Sequence, residues 1–178
     1  VARDIKLGAV ISVVIALIII FLYIALRFKR WEFGLGGLTT LFHDSLIVIS
    51  LYSLLYNVVP WTMEIDQAFI AAILTIIGYS INDTVIIFDR IRENMGLYPK
   101  RDLKTNINSA LNATLSRTFN TSGTTLAVLL IIFLFGGEVI RGFSFALMVG
   151  VAVGTYSSLF NAAPVAYDLI MRRKKDKK

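Results

Sequence analysis

The sequence predicts an all-α membrane protein: a bundle of five transmembrane helices, with a cytoplasmic amphipathic connector helix between the third and fourth. Three observations carry this reading. Of 178 residues, 56% are hydrophobic, more than the roughly 45–50% of a soluble globular domain. Leu7–Leu26 runs without a charge, and an uncharged apolar stretch of about 20 residues is long enough to cross the hydrocarbon core as a helix. Lys and Arg gather at alternate ends of successive apolar runs, the pattern of a chain that crosses a bilayer repeatedly.

The first span, 7–26, holds no charged residue and is expected to face lipid in part. Arg27-Phe28-Lys29-Arg30-Trp31-Glu32-Phe33 follows as a short turn with aromatics at headgroup depth. Gly34, Gly36 and Gly37 come next. A phosphate loop would need a strand before them and Lys-Ser/Thr after, so they are expected to form a bend at the interface. The second span, 36–59, carries His43-Asp44-Ser45 toward its basic end and closes around Val59-Pro60-Trp61. The third, 68–88, contains Asn82-Asp83. In the polar connection 89–116, Leu103, Ile107, Leu111 and Leu115 recur every four residues among Lys104, Asn106, Asn108 and Asn112. That spacing predicts a helix lying in the membrane surface. The fourth span is 118–135 and the fifth 142–170. In the fifth, Gly142, Ala146, Gly150, Gly154, Ser158 and Ala162 recur every four residues, a ridge of small side chains that lets helix backbones approach closely in lipid. Asn161, an amide in the same span, is expected to hydrogen-bond to another helix.

Charge placement orients the chain. Arg27, Lys29 and Arg30 follow the first span, Arg90, Arg92, Lys100, Arg101 and Lys104 follow the third, and Arg172, Arg173, Lys174, Lys175, Lys177 and Lys178 follow the fifth. The other side holds Arg3, Lys6 and Arg141 with Glu64, Asp66 and Glu138. The positive-inside rule then puts the N-terminus outside and the C-terminus in the cytoplasm. It also accounts for the net charge of +6 without a nucleic-acid partner. The whole of 1–178 reads as one transmembrane domain. An outside start without a signal peptide leads to the expectation of an earlier span and an external domain. No cysteine is present, and neither a metal cluster nor a cofactor motif is expected.

Ionisable groups within the spans are the candidate functional residues, because a charged Asp at the bilayer centre costs at least ~2.5 kcal/mol on insertion scales and tends to pair or face water. Asp83 lies about 8 Å, at helical rise, inside the apolar end at Phe88. Asp44 and Arg117 enter their spans from the same side, so Asp83, Asp44, Arg117 and His43 fall in one layer. Ser80, Asn82 and Thr84 flank Asp83, while Asn120, Thr121 and Thr124 share a helical face with Arg117. The expected site is a polar crevice in which Asp83 faces Arg117 and that stripe. A guanidinium favours the charged carboxylate and desolvation opposes it, so a group balanced between them can load and release a proton. A permanent Asp–Arg pair that only fixes helix register is the alternative.

GYSINDTVIIFDRIREN at 78–94, Ser116-Arg117-Thr118, FLFGGEVIRGFSF at 133–145 and GTYSSLFNAAP at 154–164 together resemble the SecF family. Its members are the smaller membrane subunits of the SecD–SecF accessory complex of bacterial protein export. The resemblance covers essentially the whole chain; Asn161 departs from it where an apolar residue is expected. It implies half of an RND-type membrane domain, completed by a pseudo-symmetric SecD half on a separate or fused chain, in the bacterial inner membrane. It implies that Asp83 and Arg117 serve proton transport, and that proton-motive force drives external domains which assist preproteins leaving the SecYEG channel. The role is that of a non-enzymatic subunit. Three competing classes are a proton-coupled RND exporter of small molecules or lipids, an intramembrane aspartyl protease using Asp44 and Asp83, and a passive scaffold. The loops 57–67 and 136–141 are short for the exporter, and the Tyr-Asp and Gly-x-Gly-Asp contexts of the protease are missing from the sequence.

Overall fold

The computed structural model describes residues 2–176, with side chains from Leu7 onward except Ala9. Lys177 and Lys178, and the side chains of Arg3 and Lys6, to which the charge reading also appeals, lie outside the described residues. The chain runs through α1 (Ala2–Phe28), α2 (Trp31–Leu55), α3 (Gln67–Leu97), α4 (Leu103–Phe135) and α5 (Glu138–Ser157). A π-helical segment, Ser158–Ala162, then leads into α6 (Ala163–Lys175). Five helical stretches are long and apolar enough to cross a membrane, the last being Glu138–Lys175 taken as a whole.

Local chemistry explains the boundaries. α1 and α2 are joined through Lys29 and Arg30, with Lys29 in the left-handed region at φ 53, the common way to stop a helix and reverse it. Asp66 accepts from the Phe69 N–H at 2.8 Å to start α3, and Asp102 accepts from Thr105 N–H at 3.3 Å to start α4. Each thereby satisfies a donor that the first turn leaves free. α4 and α5 are separated by Gly136 and Gly137 alone, and Gly137 takes φ 82, a conformation most residues avoid. Pro164 lies just past the π segment. Its ring blocks the ordinary bond to the carbonyl four residues earlier, and the wider π turn absorbs the misfit.

α3 and α4, of 31 and 33 residues, are about 47 and 50 Å long, against a hydrocarbon core of about 30 Å. The connection 89–116 is therefore helical but not a separate helix in the membrane plane. It is a hairpin formed by the ends of α3 and α4 around a turn at 98–102. No Gly or Pro occurs between 103 and 122, so nothing interrupts α4. Its apolar stripe finds protein instead of lipid: Leu103 and Ile107 are buried, and Leu111 and Leu115 pack on the same cluster, with Ile87, Phe88 and Ile91. Asn94 Nδ2 donates to Asn106 O at 3.1 Å and Asn106 Nδ2 to Tyr98 O at 3.2 Å, which locks the hairpin.

The glycines at 34, 36 and 37 are not a bend either, since all three lie inside α2. A Cβ on Gly36 would stand 2.9 Å from Ala162 O, and one on Gly37 2.8 Å from Ile24 Cδ1. They let α2 sink between its neighbours. The small-residue ridge does the same for α5. Gly142, Ala146, Gly150, Gly154 and Ser158 are all buried, with Gly150 against Ile76 and Gly154 against Ser80 of α3. Near the other end, Tyr52 OH donates to Gly142 O. By contrast α1 and α4 expose large apolar side chains, among them Leu7, Ile18, Leu26, Val128 and Ile131. Lipid is as apolar as these groups, so close packing and hydrogen bonds, not water exclusion, hold such a bundle together.

Candidate functional site

Asp83 is 2% exposed and sits at the centre of a polar layer shared by α2, α3, α4 and α5. At 100° per residue, α3 turns Ser80, Asp83, Thr84 and Ile87 into the bundle and Asn82 out of it. Oδ2 of Asp83 accepts from Ser122 Oγ at 3.5 Å, a long contact. Oδ1 is buried with no hydrogen-bond partner. Beyond Ser122 the chain of hydroxyls continues, since Thr155 Oγ1 donates to Ser122 Oγ at 2.6 Å.

A second branch lies beside it. Ser80 Oγ donates to Asp44 Oδ2 at 2.6 Å, and Asp44 Oδ1 is 3.1 Å from Nδ1 of His43. Thr84 Oγ1 donates to Ser80 O at 3.2 Å and lies 3.0 Å from Ser158 Oγ. Ser158 in turn donates to Gly154 O at 2.7 Å. Asp44 is 1% exposed, so two carboxyls are enclosed, one well bonded and one poorly. An enclosed polar atom without a partner costs about 1–3 kcal/mol. Asp83 Oδ1 and Thr118 Oγ1 are two such atoms, on α3 and α4.

The expected wall of the crevice is displaced by one residue along α4. Arg117, Asn120 and Thr124 are exposed and Thr121 is half-buried. Thr124 Oγ1 bonds back to its own helix at Asn120 O and Thr121 O, both at 2.9 Å. The inward stripe is Thr118, Ser122 and Thr125: the first two are buried, and Thr125 Oγ1 accepts from Tyr79 OH at 3.2 Å. Arg117 forms no ion pair with Asp83 within 4 Å. Asn82 likewise lies outside the layer, whereas Ser80, Thr84 and Asp44 lie within it and His43 stands half-buried at its edge. Asn161, inside the π segment, makes no side-chain hydrogen bond to another helix among the described residues. The i, i+4, i+7 spacing of Thr118, Ser122 and Thr125 was a sequence signal that could have found the true wall. It competes with an equally regular stripe beginning at Arg117.

Five apolar crossings around an enclosed polar layer define a multi-pass integral membrane protein with ionisable groups held away from lipid. The family follows from comparison. The model described as protein export membrane protein SecD/SecF, C-terminal, matches residues 1–172, and the chain belongs to the SecD/SecF family. It is similar to the protein translocase subunit SecF of Rhodothermus marinus, 55% identical over 171 residues, covering 96% of this chain and 55% of that protein. The corresponding subunit of Haemophilus influenzae is 43% identical over 173 residues, covering 97% and 51%. A crystal structure of SecDF in its super-membrane-facing form superimposes with TM-score 0.88 at 40% identity, covering 99% of this chain and 23% of that one. A SecDF from Thermus thermophilus, described as translocon-associated, gives 0.81 at 42% identity, covering 90% and 21%. The chain spans about half the length of the curated relatives it matches.

Proposed function

We propose that this chain is the membrane portion of a SecF-type subunit that uses proton movement at Asp83 to assist protein export. The observation that carries the reading is Asp83 itself, enclosed at 2% exposure with one oxygen unbonded. An intramembrane carboxyl held so loosely is poorly suited to a purely structural task, and intramembrane ionisable groups mark proton and ion pathways. Ser122 and Thr155 extend from it as hydroxyls able to pass a proton by accepting and donating in turn. Asp44, bonded to Ser80 and His43, holds the neighbouring helix in register.

Arg117, exposed on a helix that is itself mostly exposed, favours a partner that covers α4. In the SecDF structures the matching region is under a quarter of the chain, and a SecD half is the partner we assign to this face. Preproteins and SecYEG are the wider partners, with the N-terminus of this chain outside the inner membrane and the C-terminus in the cytoplasm. One proton crossing the field is worth roughly 2.3 kcal/mol per 100 mV, so a few protons suffice to shift a conformational equilibrium substantially. In the full-length complex, Asp83→Asn is expected to abolish proton-dependent stimulation of export while the complex still assembles. Undiminished stimulation in that variant would leave only the structural reading.

A further inference from the structure

The two oxygens of Asp44, a carboxyl 1% exposed within the membrane layer, are bonded in different ways. Oδ2 accepts from Ser80 Oγ at 2.6 Å, which ties α2 to α3. Oδ1 lies 3.1 Å from Nδ1 of His43, the preceding residue of the same helix, so this contact joins no two helices and adds nothing to their register. Charge gives it a purpose. An ionised carboxylate enclosed in a membrane is costly unless a cation or a proton neutralises it. Among the described residues no Lys or Arg stands within 4 Å of Asp44, and His43 is the basic group that does. The helices packed on α2 bring no other neutraliser. Residues 7–26 of α1 and 142–167 of α5, the π segment and α6 carry no charge, and α3 brings Asp83. On α6, Asp168 and the basic residues 172–175 are exposed.

We propose that His43 and Asp44 form a second proton-binding unit of this membrane domain, in which the imidazole exchanges protons at the edge of the bundle and Asp44 stores the one that crosses the ring. The pair is neutral when it holds one dissociable proton, as imidazolium with carboxylate or as imidazole with carboxylic acid. The His43 side chain is 35% exposed, and Nε2 makes no hydrogen bond among the described residues. A proton added at Nε2, with the Nδ1 proton passed to Asp44 Oδ1, leaves a neutral ring and a neutral carboxyl; the reverse transfers return it. Histidine suits the task because one ring nitrogen accepts while the other donates. Ser80, which holds Asp44, lies three residues before Asp83 on the same inward face of α3, so both proton-binding groups belong to one enclosed layer. This role presupposes proton movement at Asp83 and adds a second group to it.

The test follows preprotein export by the full-length protein with its membrane partner in sealed vesicles, with and without an imposed proton gradient, across a range of pH. His43→Gln keeps an N–H for Asp44 but binds no proton. It should abolish proton-dependent stimulation while assembly and the unfolding midpoint stay as in the parent, and Asp44→Asn should also abolish stimulation. Any stimulation that survives in His43→Gln should show a pH profile lacking one ionisation of the parent. His43→Asn, a smaller amide, serves the same purpose where the first variant does not assemble. Full stimulation in His43→Gln beside its loss in Asp83→Asn would overturn the role of the pair and leave the proton reading of Asp83 standing. Full stimulation in both variants would overturn that reading and the pair with it. Reduced stimulation with a pH profile shaped like the parent's would make His43 a packing residue, which also overturns the proposal.

Discussion

Gly150→Ala is the most direct test of how α3 and α5 fit. A Cβ built on Gly150 would stand 2.3 Å from Ile76 Cγ1, 2.4 Å from Cδ1 and 2.7 Å from Cγ2, whereas carbon atoms pack at about 3.5–4.0 Å. Ile76 is 1% exposed and branched at Cβ, so turning χ1 exchanges one γ carbon for another and relieves nothing. The helices must move apart. Overpacking of this kind costs about 1–3 kcal/mol, offset by about 1 kcal/mol because alanine favours the helix over glycine. A net loss of up to about 2 kcal/mol is expected for the single variant. Ile76→Ala removes all three clashing carbons and by itself costs about 2–4 kcal/mol for the cavity. In that background Gly150→Ala should cost nothing or stabilise by up to about 1 kcal/mol, a coupling of about 2 kcal/mol. Unfolding of the four full-length proteins in one detergent measures the cycle. If Gly150→Ala costs the same in both backgrounds, contact with Ile76 is not what excludes a side chain, and the account of the ridge fails.

Three further outcomes follow from the same geometry. Gly154→Ala brings a Cβ to 3.1 Å from Ser80 Cβ and 3.2 Å from its Oγ; it should disturb the Ser80–Asp44 bond and lower proton-dependent export, an effect that Gly8→Ala, with nothing within 4 Å of its Cβ, should not reproduce. Ser122→Ala removes the one donor to Asp83 and the acceptor of Thr155; a hydrogen bond worth about 1 kcal/mol implies a roughly fivefold effect on proton-dependent stimulation, whereas Thr124→Ala on the exposed stripe should have little effect, and the reverse order would reinstate the Arg117 face as the inner wall. Gly137→Ala should destabilise the protein by about 1–3 kcal/mol, because its φ of 82 with ψ of 173 falls in a region essentially confined to glycine; an unchanged unfolding midpoint would mean that the turn relaxes freely.

Much of the architecture was legible because its causes are local. A run without charge from Leu7 to Leu26 must avoid water, and small residues spaced by four must share one face of a helix. Asp83 stood out for the same reason, as a carboxyl set between the apolar runs 68–77 and 85–88. Expectations failed where the cause was a neighbour in space. Leu103, Ile107, Leu111 and Leu115 form the stripe their spacing predicts, but periodicity does not say whether lipid or protein covers it; the adjoining end of α3 does. Gly34, Gly36 and Gly37 read as a bend until Ala162 and Ile24 are seen pressing against them.

The sequence by itself determined that this chain is an all-helical membrane protein and which carboxyl is the odd one. It did not decide what faces that carboxyl. α4 carries two polar stripes a single residue out of step, Arg117–Thr121–Thr124 and Thr118–Ser122–Thr125, and one residue is 100° of rotation. Either stripe satisfies every local rule. Only the packing of α4 on α3 and α5 turned the second stripe inward to Asp83 and left Arg117 exposed.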